Sequence, residues 1–326
     1  PLRSYLDSMR EEGALDELIQ TVEKIAGYRI LFIGDAIIDE YRYVVPMGKS
    51  PKENMIATIK QGEEIFAGGV FAAANHVAGF SDNVEICTCL GDLNSFEDLI
   101  RDSLHNNINL STITRPNAVT TRKSRYIDNS YTLRKLFEVY DMDDRPLGRE
   151  EEDKLYAFLQ ERIDQYDVVV VTDFGHGMMT PRIISLVTES SSFLAVNAQS
   201  NSANLGYNLI TKYANADYIC LDGTEARLAM GDKYSALEQV LEDGLAERID
   251  CDKMVVTMGK HGCLAFERGV GISRVPALTG TIVDTVGAGD AFFAISAPLV
   301  AAGARMDHAG FLGNAAGAMK VGIVGH

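Results

Sequence analysis

Arg29-Ile30-Leu31-Phe32-Ile33-Gly34 is a short apolar run closed by glycine, the pattern of a strand buried on both faces. Similar runs recur at 84–90, 167–172, 193–196, 217–221 and 254–258, and helical segments are expected between several of them, at 149–165, 181–190 and 235–248. Strands alternating with helices predict an α/β fold, a mainly parallel central sheet covered on both faces. Before the first strand, residues 1–27 carry Leu15, Leu18, Ile19, Val22 and Ile25 at helical spacing and read as a helical extension or linker, which leaves 28–326 as the main domain. Two stretches break the rhythm: 41–66, polar with few helix signals, and 118–140, which alternates like a hairpin around Asp128-Asn129-Ser130. In the second, Val119, Thr121, Lys123, Arg125 and Ile127 share one strand face, and the return strand brings Leu133, Arg134, Lys135 and Phe137. Such a flap inserted into a parallel body is expected to act as a small β lid over a site.

The 326 residues, 46% of them hydrophobic, suffice for a sizeable core. With 46 acidic against 30 basic residues the formal charge is −16, which disfavours a sequence-independent grip on nucleic acid or an anionic membrane surface. An anionic substrate therefore needs a local positive site. Cys87, Cys89, Cys220, Cys251 and Cys263 lack paired CxxC spacing and read as reduced core thiols. His76, His105, His261, His308 and His326 show no ligand spacing, so no metal is assigned to them. The longest apolar stretch, 291–304, is shorter than the roughly 20 residues of a membrane span and is expected to be a buried helix. No charged-then-apolar signal segment opens the chain, so cytoplasm is the expected compartment; the start without Met and the Gly325-His326 ending are those expected of a piece of a longer protein.

The chemistry is concentrated in Asp284-Thr285-Val286-Gly287-Ala288-Gly289-Asp290-Ala291-Phe292-Phe293, a turn of small residues feeding an apolar helix. Gly287, Ala288 and Gly289 let backbone N–H groups converge on an anion at the helix N-terminus, where the peptide dipoles favour negative charge. Asp290 falls in the first turn, where a carboxylate can accept the proton of an attacking hydroxyl.

This string resembles the second signature of the ribokinase-like carbohydrate kinases, also called the phosphofructokinase B family, and the resemblance runs in order over 29–326. It implies a three-layer α/β/α sandwich with a small β lid, ATP and Mg²⁺ as cofactors, and K⁺ in many members. By that resemblance Asp290 is the catalytic base, Gly287, Ala288 and Gly289 with Asp290 form the anion hole for the γ-phosphate, and Asp284 and Val286 lie near the monovalent-cation site. Gly34-Asp35-Ala36-Ile37-Ile38-Asp39 resembles the family's first strand end, making Asp35 and Asp39 candidate sugar ligands, suited to several O–H donors. Gly68-Gly69, opening an expected helix over 70–80, resembles the substrate-side diglycine; Asn75 is the candidate for the asparagine that usually follows sooner. On the nucleotide side Asp222-Gly223-Thr224-Glu225 stands where Asn-x-x-Glu is usual, with Glu225 ordering Mg²⁺ through water, and Thr257, Gly259 and Gly262 resemble the turn that touches the nucleotide.

Within the family the stretches GDAIIDEYRYV, SPKENMIATI, TTRKSRYI with LRKLFEV, and VTDFGHGMMT are most similar to the kinase domain acting on the anomeric hydroxyl of heptose 7-phosphate. Lys123, Arg125, Arg134 and Lys135 are then expected to clamp a substrate phosphate. Two positions depart from that pattern: His176 where a lysine is usual, expected to titrate near neutrality, and Gln199 where Asp-Pro-Lys is usual. These departures leave open a catalytically silent sugar-phosphate or nucleotide-binding domain, and a kinase of a nucleoside or a plain sugar. Apolar Ile127, Leu133, Phe137 and Val139 on the flap predict a homodimer through the lid, and the heptose resemblance implies a fused nucleotidyltransferase beyond the chain.

Overall fold

The structure is a computed structural model and describes residues 2–278 and 282–325. In chain order its elements are helices α1 (Leu2–Glu11) and α2 (Ala14–Ile25), strands β1 (Arg29–Gly34), β2 (Ala36–Lys49) and β3 (Ile56–Gly69), α3 (Val70–Ala78), β4 (Asn83–Leu93), α4 (Glu97–Ser103), β5 (Ile108–Val119), β6 (Thr121–Asp128), β7 (Arg134–Asp141) and α5 (Arg149–Arg162). They continue with β8 (Val168–Asp173), α6 (Pro181–Ser190), β9 (Leu194–Ala198), β10 (Tyr218–Asp222), α7 (Gly223–Met230), α8 (Leu237–Gln239), α9 (Ala246–Arg248), β11 (Lys253–Thr257), β12 (Cys263–Glu267), β13 (Gly271–Val275), α10 (Ala288–Ala301) and α11 (Met306–Lys320). The helix expected over 235–248 is present but irregular, with π-type turns at Val240–Leu245 between α8 and α9. His326 lies outside the described residues.

Nine strands form the central sheet in the order β13-β12-β11-β10-β9-β8-β1-β4-β5, parallel except where β12 joins β11 and β13. The continuous apolar runs follow from burial on both faces. Along β1, Leu31 and Ile33 enter one core with Val169, Val171, Leu155 and Ile183, while Ile30 and Phe32 enter the other with Val170, Phe71, Phe293 and Ala297. Each of the fully buried Val, Leu, Ile and Phe side chains contributes about 1.5–3 kcal/mol of transfer free energy. The 291–304 stretch is the heart of α10, buried in the second core as expected. All five cysteines are unpaired, and burial raises their thiols. Among the described residues no helix is long and apolar enough to cross a membrane.

The two stretches that broke the rhythm form one four-stranded sheet in the order β3-β2-β6-β7, antiparallel except between β2 and β6. The buried positions of β6 include the face expected from alternation, with Thr121, Lys123, Arg125 and Ile127 inward. Ile127 is thus part of the chain's own packing, which corrects the expectation that it faces a second copy. The extension is packed as well: Ala14, Leu18 and Ile25 are buried, Tyr5 lies against Phe311, and Lys24 Nζ donates to the Ala302 carbonyl. Strand order reverses around β1, whose neighbours are β4 and β8, and in open α/β sheets ligands bind outside the carboxyl ends of strands at such a switch.

Candidate active site

A cavity of 940 Å³ lies at the carboxyl ends of β8 to β11, on one side of that switch and beneath the lid, a size that suits small-molecule ligands. Phe174, Gln199, Asp222 and Thr257, at or just past the carboxyl ends of β8 to β11, form one wall; Asp39, Lys123 and Arg125 come down from the lid; the turn from Gly287 to Asp290 also lines the cavity. Gly287 caps α10 with φ 78° and ψ 0°, the left-handed region where glycine is at ease, and turns the first amides of the helix toward the cavity. The Ala288 N–H is engaged by the Thr285 carbonyl at 3.3 Å, and Ala291 closes the first helical bond to Gly287 at 2.9 Å. Asp290 is partly exposed in that first turn, with Gln199 Nε2 3.5 Å from its Oδ1.

At the lid end, Arg125 pairs with Asp39, and its Nε donates to Glu138 at 2.7 Å. Lys123 is only 5% exposed and, among the described residues, makes no ion pair. Its ammonium sits 5.2 Å from the Tyr140 ring centre and 5.9 Å from that of Phe174. Burial lowers its pKa, partly offset by Asp39. Gly69 supports this end: at φ +57° any Cβ would sit 2.9 Å from the Asp35 carbonyl.

At the other end Asp222 and Glu225 form a capping box at the start of α7. Asp222 Oδ1 accepts the N–H groups of Thr224 (2.7 Å) and Glu225 (2.8 Å), while Glu225 accepts those of Asp222 and Ser200, both at 2.9 Å. Burial, then the charges of Asp222 and Asp290, push Glu225 up to about 8. Carboxylates crowded on one cavity in this way fit a divalent cation held through water. Direct ligation is less suited, since the described residues contain no cluster of three or more His, Cys, Asp or Glu with metal-site geometry. Gly259 and Gly262 also line this end.

The candidates that the cavity brings together are therefore Asp39, Gly69, Lys123, Arg125, Asp222, Glu225, Thr257, Gly259, Gly262 and the turn from Gly287 to Asp290. Others lie elsewhere. Gly68 is paired with Ile37 one step back along β3. Asn75 holds a turn, its Nδ2 donating to the Ser103 carbonyl (3.0 Å) and its Oδ1 accepting the His105 N–H (3.1 Å), so it corrects to a structural role. Arg134 is exposed at the far end of the flap, opposite Asp128, and Lys135 reaches Asp284 at 2.8 Å instead of the cavity. His176 is 3% exposed with both ring nitrogens unpartnered; burial and the Lys123 charge hold it down at about 3, which overturns the expected titration near neutrality. Asn314 of α11 lines the cavity without having been foreseen, since no local motif marks it.

Asp35 is likewise turned away from the cavity: its Oδ2 accepts the N–H groups of Phe174 (3.0 Å) and His176 (3.3 Å). Burial, with Asp173 nearby, pushes its carboxyl up to about 6. Because the folded-state value exceeds the unfolded one, the native protein binds the extra proton, and stability present below the unfolded pKa is lost as pH rises through about 6. Asp35→Asn keeps an oxygen acceptor and stays neutral, so it is expected to raise the unfolding free energy by about 1–3 kcal/mol above neutral pH. Urea melts should show that gain shrinking steadily between pH 6 and about 4.

A family model described as "pfkB family carbohydrate kinase" matches residues 28–325. The Bifunctional protein HldE of Geobacter metallireducens is 25% identical over 303 residues, covering 90% of this chain and 60% of the relative. That of Bradyrhizobium diazoefficiens is 27% identical over 316 residues, covering 95% and 62%. The chain thus spans about three fifths of the length of the curated relatives it matches. Among solved structures, phosphofructokinase-2 from Escherichia coli in complex with potassium superposes with a TM-score of 0.70 at 16% identity, covering 91% of this chain and 94% of that one, a likeness of fold. The family match begins at the first strand of the central sheet and takes in the lid, the cavity and the α10 turn, and with it the chain belongs to the pfkB family of carbohydrate kinases.

Proposed function

We propose that this chain transfers a phosphoryl group from Mg-ATP to a hydroxyl of a phosphorylated sugar, the anomeric hydroxyl of a heptose 7-phosphate being the acceptor that the motifs favour. The observation that carries the phosphorylated substrate is Lys123, a buried ammonium on the cavity that forms no ion pair among the described residues. A desolvated unpaired charge is costly, and an anionic ligand group is what offsets it. This is the local positive site that a chain of charge −16 requires.

In this reading Asp39 and Arg125 orient the sugar, and Asp290 takes the proton of the attacking hydroxyl as its oxygen bonds to the γ-phosphorus and the bond to the leaving ADP oxygen breaks. The N–H groups at the start of α10 stabilise charge on the transferring group. Glu225 would hold Mg²⁺ through water, and the ion would supply charge neutralisation on the phosphates. Lid closure excludes water that would otherwise compete as acceptor. We further propose that 28–326 is the catalytic unit with 1–27 as its helical extension, and that the chain works in the cytoplasm, where five free cysteines are at ease. Exposed Phe137 and Val139 on β7, with Met47, Ile56 and Ile59 on β2 and β3, support a homodimer through the lid. The length of the relatives supports a fused second domain, a nucleotidyltransferase by the heptose resemblance.

The test is ADP release from Mg-ATP across a panel of sugars and sugar phosphates, with the product read by phosphorus NMR. Turnover confined to phosphorylated sugars with a free anomeric hydroxyl is expected. Binding of nucleotide and sugar phosphate without turnover across the panel would show instead a silent binding domain.

A further inference from the structure

Asp284 precedes the anion-hole turn, and both of its oxygens are occupied by donors. Oδ1 accepts from Lys135 Nζ at 2.8 Å and from the Val286 N–H at 3.2 Å; Oδ2 accepts from the Tyr41 hydroxyl at 2.6 Å and the Gly325 N–H at 3.4 Å. A carboxylate offers about four lone-pair sites, so four donors leave none directed at a metal ion. A second ammonium stands close by. Lys320, 2% exposed, donates to the carbonyl of Gly325 and lies near enough to Asp284, Asp290 and Lys135 for their charges to act on it. Lys135, in direct contact, already meets the charge of the Asp284 carboxylate. The monovalent cation that the family resemblance places at Asp284 therefore does not fit these residues.

We infer that Lys135, reaching from the lid across to Asp284, supplies the positive charge that a monovalent cation would bring, so that this chain works without one. Lys135 is 149 positions from Asp284 in sequence and sits on β7, whereas Asp284 and Val286 lead directly into Gly287. The contact thus joins lid closure to the shape of the turn that receives the phosphoryl group. Tyr41, also from the lid, makes the second such tie. Lys135 is a positioning residue, acting through Asp284 on backbone amides that it does not touch. Although burial pushes the Asp284 carboxyl up, the Lys135 and Tyr41 hydrogen bonds hold it down, at about 2, so Asp284 stays charged at neutral pH.

The inference rests on the phosphoryl-transfer reading only for its kinetic readout. The experiment compares the full chain and Lys135→Met in potassium chloride and in tetramethylammonium chloride at equal ionic strength, by thermal unfolding and by steady-state kinetics. For the wild-type chain, Tm and kcat are expected to be the same in both salts. Lys135→Met opens a site on Asp284 Oδ1: in tetramethylammonium its kcat is expected to drop about tenfold, and potassium should recover most of that loss and raise Tm. Specific stabilisation of the wild type by potassium overturns the inference, as does a folded Lys135→Met that ignores potassium. If Lys135→Met does not fold, thallium(I) NMR on the wild type decides, broadening on addition of protein overturning the inference and an unchanged line supporting it. The thermal and thallium readouts need no sugar, so they judge the cation even where no acceptor is turned over.

Discussion

In Asp290→Asn, kcat is expected to fall by about 10²- to 10⁴-fold, with nucleotide and sugar-phosphate binding retained, because a positioned general base contributes that much. The side chains are nearly isosteric, and asparagine keeps an oxygen for Gln199 Nε2, 3.5 Å away in the native chain. What disappears is the ability to take a proton from the acceptor. A helix-terminal acid serving only the dipole contributes about 0.3–1 kcal/mol to stability and nothing to the chemical step. A merely structural Asp290 therefore predicts a lowered Tm with kcat within a few-fold of wild type. Steady-state kinetics beside isothermal titration with a nonhydrolysable nucleotide separate the two, and a kcat loss below about tenfold in a folded variant would remove Asp290 from the role of base.

Lys123→Met is expected to raise KM for the phosphorylated sugar by about 10- to 100-fold, the size of one hydrogen bond to a charged group at about 1.5–3 kcal/mol. Methionine fills a similar volume between the Tyr140 and Phe174 rings and brings no charge. Tm is thus expected to hold or rise, since a buried ammonium that forms no ion pair among the described residues costs free energy in the unliganded protein. The discriminating measurement is the same variant on the same sugar without its phosphate, where wild type and Lys123→Met should differ by less than about threefold. Equal losses on both sugars would mean that Lys123 orients the ring or shapes the lid and does not receive the phosphate.

The pairing of Lys135 with Asp284 shows why part of this site was not legible. Lys123, Arg125, Arg134 and Lys135 look equivalent along the sequence, four cations in one predicted hairpin. Sheet register separates them. β6 turns Lys123 and Arg125 inward, the antiparallel match places Arg134 opposite Asp128 at the far end, and Lys135 is carried over Asp284. The same holds for the acids of the first strand end. Asp35 and Asp39 are four positions apart and chemically alike, yet β2 takes Asp39 to the lid wall while Asp35 stays beneath the turn at Phe174 and His176. Asn75 illustrates a third case: its helix was expected, but which turn its amide would hold depended on where α4 ends against α3.

Sequence alone was sufficient wherever the controlling interactions are local. Apolar runs such as 29–34 announce strands buried on two faces because alternate side chains of one strand must meet both cores, and the glycine turn before Asp290 announces a helix N-terminus because its conformation and amides belong to consecutive residues. From these came the α/β fold, the lid stretches and the glycine turn that opens α10 on the cavity. Only the tertiary structure decided which cations face the cavity, that Asp35, Asn75 and His176 serve the scaffold, and that Asp284 is already satisfied by donors from the lid and from Gly325. Those outcomes depend on strand register and on contacts between segments up to 243 positions apart, which are set by packing of the whole chain rather than by any residue's neighbours in sequence.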